Sequence, residues 1–167
     1  IRLDLLDDDS IKDAAGNPLG GVGTGNGNFN AGEAYSIEKS MPTVTAITRI
    51  DPTPSNSALV HFSLNFSKEV SGVDAGDFTL TTTGNVANAS ITEIAGAGNA
   101  YTVTVNTGTG DGTLRLDLLD NDSIIDADSN PLGGMGAGNG NFTTGEVYTM
   151  NRSAPSLISS LRADPNP

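Results

Sequence analysis

The amino-acid sequence predicts an all-β fold built from repeated β-sandwich modules. Three observations carry this prediction: apolar and polar residues alternate in short runs, Gly-rich turns separate the runs, and a 54-residue segment occurs twice. The sequence shows no convincing apolar period of 3.6 residues, which is what an amphipathic helix would require. Strands, turns and a repeat of domain length together favour a sandwich over other β architectures.

The repeat sets the domain organisation. Residues 1–54 align with residues 114–167 without a gap, and 31 of the 54 aligned pairs are identical. The resulting period of 113 residues is too long for a solenoid repeat and fits a whole sandwich domain of about 100 residues. We therefore expect three pieces: the C-terminal part of one module (1–42), a complete module (43–155) and the first strand of a third (156–167).

The strands of the complete module follow from two-residue periodicity. In the clearest run, Val60, Phe62, Leu64 and Phe66 point to one side while polar residues point to the other. The further predicted strands cover residues 78–80, 91–94, 101–105, 114–118 and 147–150. Turn residues at 83–85, 96–99 and 108–112 separate them. With the strand that opens the module, the pattern predicts a sandwich of about seven strands.

Three runs of the module resemble a known family. Val60–Val70, Val73–Leu80 and Ile125–Leu132 are similar to the bacterial Ig-like repeats of large surface and adhesin-type proteins, in the same order and over essentially the whole period. The resemblance implies immunoglobulin-like β-sandwich modules and an extracellular location at the cell surface. It implies little about function, because such modules serve as stalks, spacers and binding tips alike.

Composition narrows the possible partners. The 20 acidic and 8 basic residues give a net charge of −12, which disfavours nucleic acid and anionic membrane surfaces. No apolar run approaches the ~18 residues that cross a bilayer, so we expect no membrane insertion in this segment. Cysteine is absent, so a module must be held by packing or by bound metal. The chain opens inside a strand-like stretch, and we expect it to be a piece of a longer polypeptide.

A cluster of carboxylates follows the predicted strand 114–118. Asp120, Asp122, Asp126 and Asp128 lie within nine residues, with no lysine near them in the sequence. Such like charges repel unless a cation or solvent screens them, and Ca²⁺ accepts 6–8 oxygen ligands in flexible loops. The earlier copy keeps three of the four, as Asp7, Asp9 and Asp13. Two interpretations stay open: a Ca²⁺ site centred on the shared triplet, or side-chain turns in a solvated loop.

Other acidic residues extend the calcium hypothesis. Glu146 could complete the site from the neighbouring strand. The junction motif Asp-Pro-x-Pro occurs twice, and its Asp51 or Asp164 could bind calcium between modules or form a plain turn. The Gly-rich stretch 133–141 is interpreted as a long loop, because calcium-binding β-rolls need several such nonapeptides in tandem.

These features predict a structural protein and no enzyme. The only histidine, His61, is expected on the polar face of a strand without a serine and an acid to serve. We expect a structural or adhesive repeat of a surface fibre, sheath or adhesin stalk, with neighbouring repeats as partners and a homopolymer or filament as a possible assembly. The alternative is a carbohydrate-binding module that uses the loop 120–145, although the chain has no Trp and three Tyr.

Overall fold

The computed structural model describes residues 1–161 and 163, and it divides the chain into two compact units, Ile1–Lys39 and Ser40–Pro167. The boundary at 42, the complete module 43–155 and the strand expected at 156–167 stay predictions. Within that last segment, residues 156–161 belong to no strand, and Asp164 of the proposed junction site lies outside the described residues. No helix in the described part of the chain is long and apolar enough to cross a membrane.

The larger unit is all-β, as predicted. Its elements are β1 (Val44–Arg49), β2 (Leu59–Ser71), a one-turn 3₁₀ helix (Ala75–Asp77), β3 (Phe78–Gly84), β4 (Ser90–Asn106), β5 (Gly112–Leu118), β6 (Ile125–Asp126) and β7 (Val147–Met150). One antiparallel sheet has the order β1-β2-β4, with β6 paired to the end of β2. The second antiparallel sheet has the order β3-β5-β7. The two sheets bury one common core, which is the architecture of a β-sandwich.

The alternating pattern in β2 explains how this core forms. Val60, Phe62 and Leu64 are fully buried and Phe66 nearly so, as predicted, while the residues between them stay partly or fully exposed. Because successive side chains of a strand point to opposite faces, one face of β2 supplies the core. The second sheet contributes five side chains to the same core, each at most 1% exposed: Leu114, Leu116, Leu118, Tyr148 and Met150.

The element β4 differs from the prediction of two separate strands. Residues 90–106 form one assigned element, but the chain reverses within it, since the hydroxyl of Thr92 donates to the carbonyl of Thr104 at 3.2 Å. Gly96 allows the reversal, because its φ of +125° is unfavourable for other residues and a Cβ there would lie 2.4 Å from the carbonyl oxygen of Ala100. The predicted turn 96–99 is therefore present inside the element.

β1 and the segment that follows it are hydrogen-bonded to β7 and its flanking residues. The amide of Glu146 donates to Ile47 O at 3.0 Å, Ser55 N donates to Thr149 O at 2.9 Å, and Asn151 N donates to Ser55 O at 2.9 Å. Ser55 and Met150 form a parallel bridge. These bonds join an edge of one sheet to an edge of the other.

The smaller unit repeats the pairing of the second sheet. Its bridges Arg2–Ala34, Leu5–Phe29 and Lys12–Pro18 match, 113 residues later, the pairs Arg115–Val147, Leu118–Phe142 and Ile125–Pro131. The two copies of the repeated sequence therefore adopt the same register.

Candidate functional site

The 120–145 loop, which joins β5 to β7 and contains β6, is the candidate site. Backbone bonds fix it where it leaves and rejoins the sandwich: Leu118 and Phe142 exchange two bonds of 2.9 Å, and Leu132 N donates to Ile124 O at 2.9 Å. Ile125 and Asp126 pair with the last residues of β2. The loop is thus held by the sheets at several points along its length.

Asp120 organises the Gly-rich half of this loop. Its carboxylate is buried, and it accepts hydrogen bonds from the backbone amides of Asp122, Gly138 and Gly140, each at 3.1 Å. The amide of Asp120 itself donates to the side-chain oxygen of Asn141 at 2.7 Å. One carboxylate therefore gathers three backbone donors from two segments that are about 20 residues apart in sequence.

Asp122 has one satisfied and one unsatisfied carboxylate oxygen. Its Oδ2 accepts a hydrogen bond from the amide of Gly136 at 3.0 Å, whereas its Oδ1 is buried and has no hydrogen-bond partner among the described residues. The residue adopts a φ of +66°, a left-handed conformation that Asp tolerates better than most side chains. Buried oxygens without partners are rare in folded proteins and call for a physical reason.

Asp126 closes the other half of the loop. Its Oδ1 accepts from the amides of Asp128 and Asn130 at 3.0 and 2.9 Å, and its Oδ2 accepts from the Asn130 side chain at 3.0 Å. Chiefly because of the Asn130 side chain, the pKa of Asp126 lies below its ordinary value of 3.8. No lysine is close to Asp126 in the sequence, but Lys68 of β2 lies 3.6 Å from its carboxylate in the fold.

The four carboxylates do not converge on one point. Asp128 is exposed and contributes only its amide to the turn made by Asp126. Within the described part of the chain, no group of three or more His, Cys, Asp or Glu side chains is arranged to hold a metal ion. The side-chain turns that formed the alternative interpretation are present, and each carboxylate builds its own stretch of loop.

The smaller unit builds the same loop independently. Asp7 accepts from the amides of Asp9 and Gly27 at 3.1 and 3.0 Å, and Asp9 accepts from Gly23 N at 3.0 Å. Asp13 accepts from Ala15 N, Asn17 N and the Asn17 side chain. Asp9 also has a buried Oδ1 that finds no hydrogen-bond partner in the described part of the chain, as in Asp122. The residues that the two copies share are therefore the ones that hold the loop.

Two further acidic residues of the calcium hypothesis have other partners. Glu146 accepts from the backbone amide of Arg49 at 2.7 Å and faces the Arg49 guanidinium at 3.4 Å, so it links β7 to β1. Asp51 accepts from the amide of His61 at 2.7 Å and pairs with the His61 ring at 3.0 Å. Burial raises the pKa of Asp51, but these contacts outweigh it and leave the pKa below 3.8.

A small cavity beside the loop is the place where the alternative, a carbohydrate site, would have to lie. The cavity has a volume of 210 Å³, and its lining includes Thr43, Val44, Asn139 and Phe142. Ligand pockets usually measure roughly 300–1,000 Å³. Tyr148, which could have served as a stacking platform, is fully buried in the core.

Comparison of the chain with protein-family models, with curated proteins and with solved structures returned no match.

Proposed function

We propose that this chain belongs to a structural array of immunoglobulin-like modules with a period of 113 residues. The array lies on a microbial surface, where it forms a fibre, a sheath or an adhesin stalk, and it has no enzymatic role. One observation carries the proposal: the same loop, with the same carboxylate-to-backbone bonds, is built twice in one chain. A protein that repeats whole modules gains length and mechanical continuity.

The arrangement of the terminal strands supports a mechanical role. Tension along an array would enter a module at β1 and leave it after β7, and hydrogen bonds join β1 and Ser55 to β7 and its flanking residues. The bonds at Ile47, Ser55 and Asn151 would then be loaded together and would have to break together. Terminal segments joined in this way therefore resist extension better than a strand pair that opens one bond at a time.

Surface labelling tests the proposed location. Antibody raised against residues 40–161 is applied to intact cells of the organism that encodes the chain, and to permeabilised cells as a control. We expect labelling of intact cells at the same level as permeabilised cells, and loss of the label after brief protease treatment of intact cells. Labelling that requires permeabilisation contradicts the proposal.

Calcium binding to the 120–145 loop is a separate proposal. Its support is the buried Oδ1 of Asp122, together with the equivalent oxygen of Asp9, because a carboxylate oxygen that lacks a donor is available to a cation. Bound there, calcium would supply charge neutralisation and additional stiffness to the loop.

Thermal unfolding tests the calcium proposal. The chain is melted with Ca²⁺, with Mg²⁺ and with EGTA, alongside the variants Asp122→Asn and Asp128→Asn. Ligand at 100 times its Kd stabilises a fold by about 2.7 kcal/mol, which raises Tm by several degrees. We expect a Ca²⁺-specific rise that Asp122→Asn removes and Asp128→Asn, at an exposed side chain, retains. Equal melting in all three conditions would assign the loop to hydrogen bonding alone.

A further inference from the structure

The smaller unit carries a large exposed apolar face. Ile1, Leu3, Leu5 and Tyr35 are exposed by 79, 88, 36 and 76%, respectively. Three more apolar side chains complete the face, which we call the open face: Ile11, Leu19 and Ile37, exposed by 46, 36 and 54%. Soluble proteins seldom leave so many large apolar side chains in water without a partner.

The equivalent positions of the larger unit are all buried. The residues 113 positions later are Leu114, Leu116, Leu118, Ile124, Leu132, Tyr148 and Met150, and each is at most 1% exposed. A matched pair outside the face does not differ: Val22 and its equivalent Met135 are 90 and 89% exposed. The sequence of the repeat thus places core residues on the open face.

Local structure does not explain the difference. The two copies have the same bridge register, and their loops have the same carboxylate bonds. Even the ion pair on the first strand recurs, as Arg2–Asp4 and Arg115–Asp117, both at 2.6 Å. The smaller unit therefore has the register of the β5–β7 pair of the larger unit, and it lacks a counterpart of β3 and a covering sheet.

In the larger unit, the equivalent face is covered by the β1-β2-β4 sheet. This buried face packs in one core with side chains of β1, β2 and β4, which are Ile47, Val60, Phe62, Leu64, Val103 and Val105. The ring of Phe62 lies 5.0 Å from the ring of Tyr148 in an edge-to-face contact. The Tyr148 hydroxyl donates to the carbonyl of His61 at 2.6 Å. A sheet of this kind offers both apolar area and a specific acceptor for the tyrosine.

We propose that the open face binds a segment with the sequence pattern of residues 43–106, supplied by a preceding copy of the repeat in the polypeptide. The counterparts of β1, β2 and β4 in that segment would cover the face, and the counterpart of β3 would pair with residues 1–5 at its edge. This inference rests on the proposed function and names the partner of residues 1–39. A second chain is a poorer source, because its own β1-β2-β4 sheet already covers β5 and β7. Exchange between chains would uncover one face for every face that it covers.

An extended chain tests the inference. Residues 43–113 are fused directly before Ile1 of the full chain, which restores the 113-residue offset between equivalent positions. Amide hydrogen exchange is then measured for residues 1–39 in the extended and the original chain. We expect exchange to slow by at least about a hundredfold in the extended chain, because these amides would then open only with a whole module. Residues 114–150 serve as the internal reference.

Two substitutions in the extended chain separate specific docking from general compaction. Leu3→Asp should abolish the new protection, because it places a charge where Leu116 is buried, while Val22→Asp should retain it. Unchanged exchange in the extended chain overturns the inference. Protection that arises in the original chain and grows with concentration also overturns it, since the occupant is then a second chain. Neither exchange result affects the outcome of surface labelling, so the proposed function and this inference are tested separately.

Discussion

At the residue scale, the acidic side chains hold the chain's own backbone. Asp120 and Asp126 each accept three or more hydrogen bonds from nearby amides and side chains. The repulsion expected from the sequence is reduced because each carboxylate faces N–H donors instead of another carboxylate. Lys68 adds a positive charge beside Asp126. The acidic side chains of the loop therefore have a structural role, in which they hold backbone segments together. Among the described residues, the Oδ1 of Asp122 is buried without a hydrogen-bond partner.

Replacing Asp120 with alanine should destabilise the larger unit. The change leaves the amides of Asp122 and Gly140 without their acceptor, at a cost of about 1–3 kcal/mol, while the Gly138 amide keeps its bond to the backbone carbonyl of residue 120. Urea unfolding measures the loss, with Asp128→Ala as the matched control at an exposed side chain. Equal losses of unfolding free energy in the two variants would contradict the structural role of the Asp120 carboxylate.

Tyr148 and Tyr35 occupy the same repeat position in opposite surroundings. The buried Tyr148 hydroxyl donates to His61 O and accepts from the amides of Ile50 and Asp51 at 3.1 and 2.9 Å, whereas Tyr35 is 76% exposed. We expect Tyr148→Phe to lower the free energy of unfolding by about 1–2 kcal/mol, as is usual for a lost buried hydrogen bond. Tyr35→Phe should change it by less than about 0.5 kcal/mol. A similar loss in both variants, measured by urea unfolding, would show that the tyrosine hydroxyl is not the cause.

At the element scale, glycine sets the shape of the 120–145 loop. Gly133 has a φ of +71°, and a Cβ there would lie 2.6 Å from the backbone of Asn139 and Gly140. Gly20 repeats both features beside Asn26 and Gly27. Two backbone segments of the loop therefore cross at a distance that excludes a side chain.

Gly133→Ala should open this crossing. We expect it to destabilise the larger unit by about 1–3 kcal/mol, in the range of backbone strain at a compact site. Gly136→Ala is the control, because Gly136 has a φ of +110° but a Cβ there would meet only the side-chain nitrogen of Asn139, at an ordinary contact distance of 3.9 Å. The difference between the two variants in urea unfolding isolates the steric contact, and equal losses would mean that φ alone matters.

At the scale of the whole molecule, alternation predicted the sandwich and its strands, because burial of one strand face leaves a period of two in the sequence. Val60, Phe62 and Leu64 illustrate this in β2. The repeat likewise singled out Asp7, Asp9 and Asp13 as counterparts of Asp120, Asp122 and Asp126. Sequence could not show that Lys68 reaches Asp126 or that Glu146 reaches Arg49, because tertiary pairing brings together residues far apart in the chain.

The carboxylates as a group predict how stability depends on pH. The Ser153 hydroxyl holds the pKa of Asp111 below 3.8, and the Arg49 amide holds the pKa of Glu146 below 4.5; Asp126 is also lowered, chiefly by Asn130. A carboxylate with a lowered pKa stabilises the fold above its unfolded pKa, and this contribution is lost as pH falls through the folded pKa. We expect Tm to be constant from about pH 7 to 5 and to fall below about pH 4. Asp126→Asn should make the fall shallower, and an unchanged profile would contradict the assignment.

The central claim is that the repeat is a rigid structural module of an array, and small-angle X-ray scattering of chains with one, two and four consecutive repeats tests it most directly. β2 has 13 residues, so a module that extends along its strands is about 40 Å long. We expect the maximum dimension to increase by a nearly constant step of about 40 Å for each added repeat. Growth that levels off as repeats are added, as in a collapsed globule, would contradict the account.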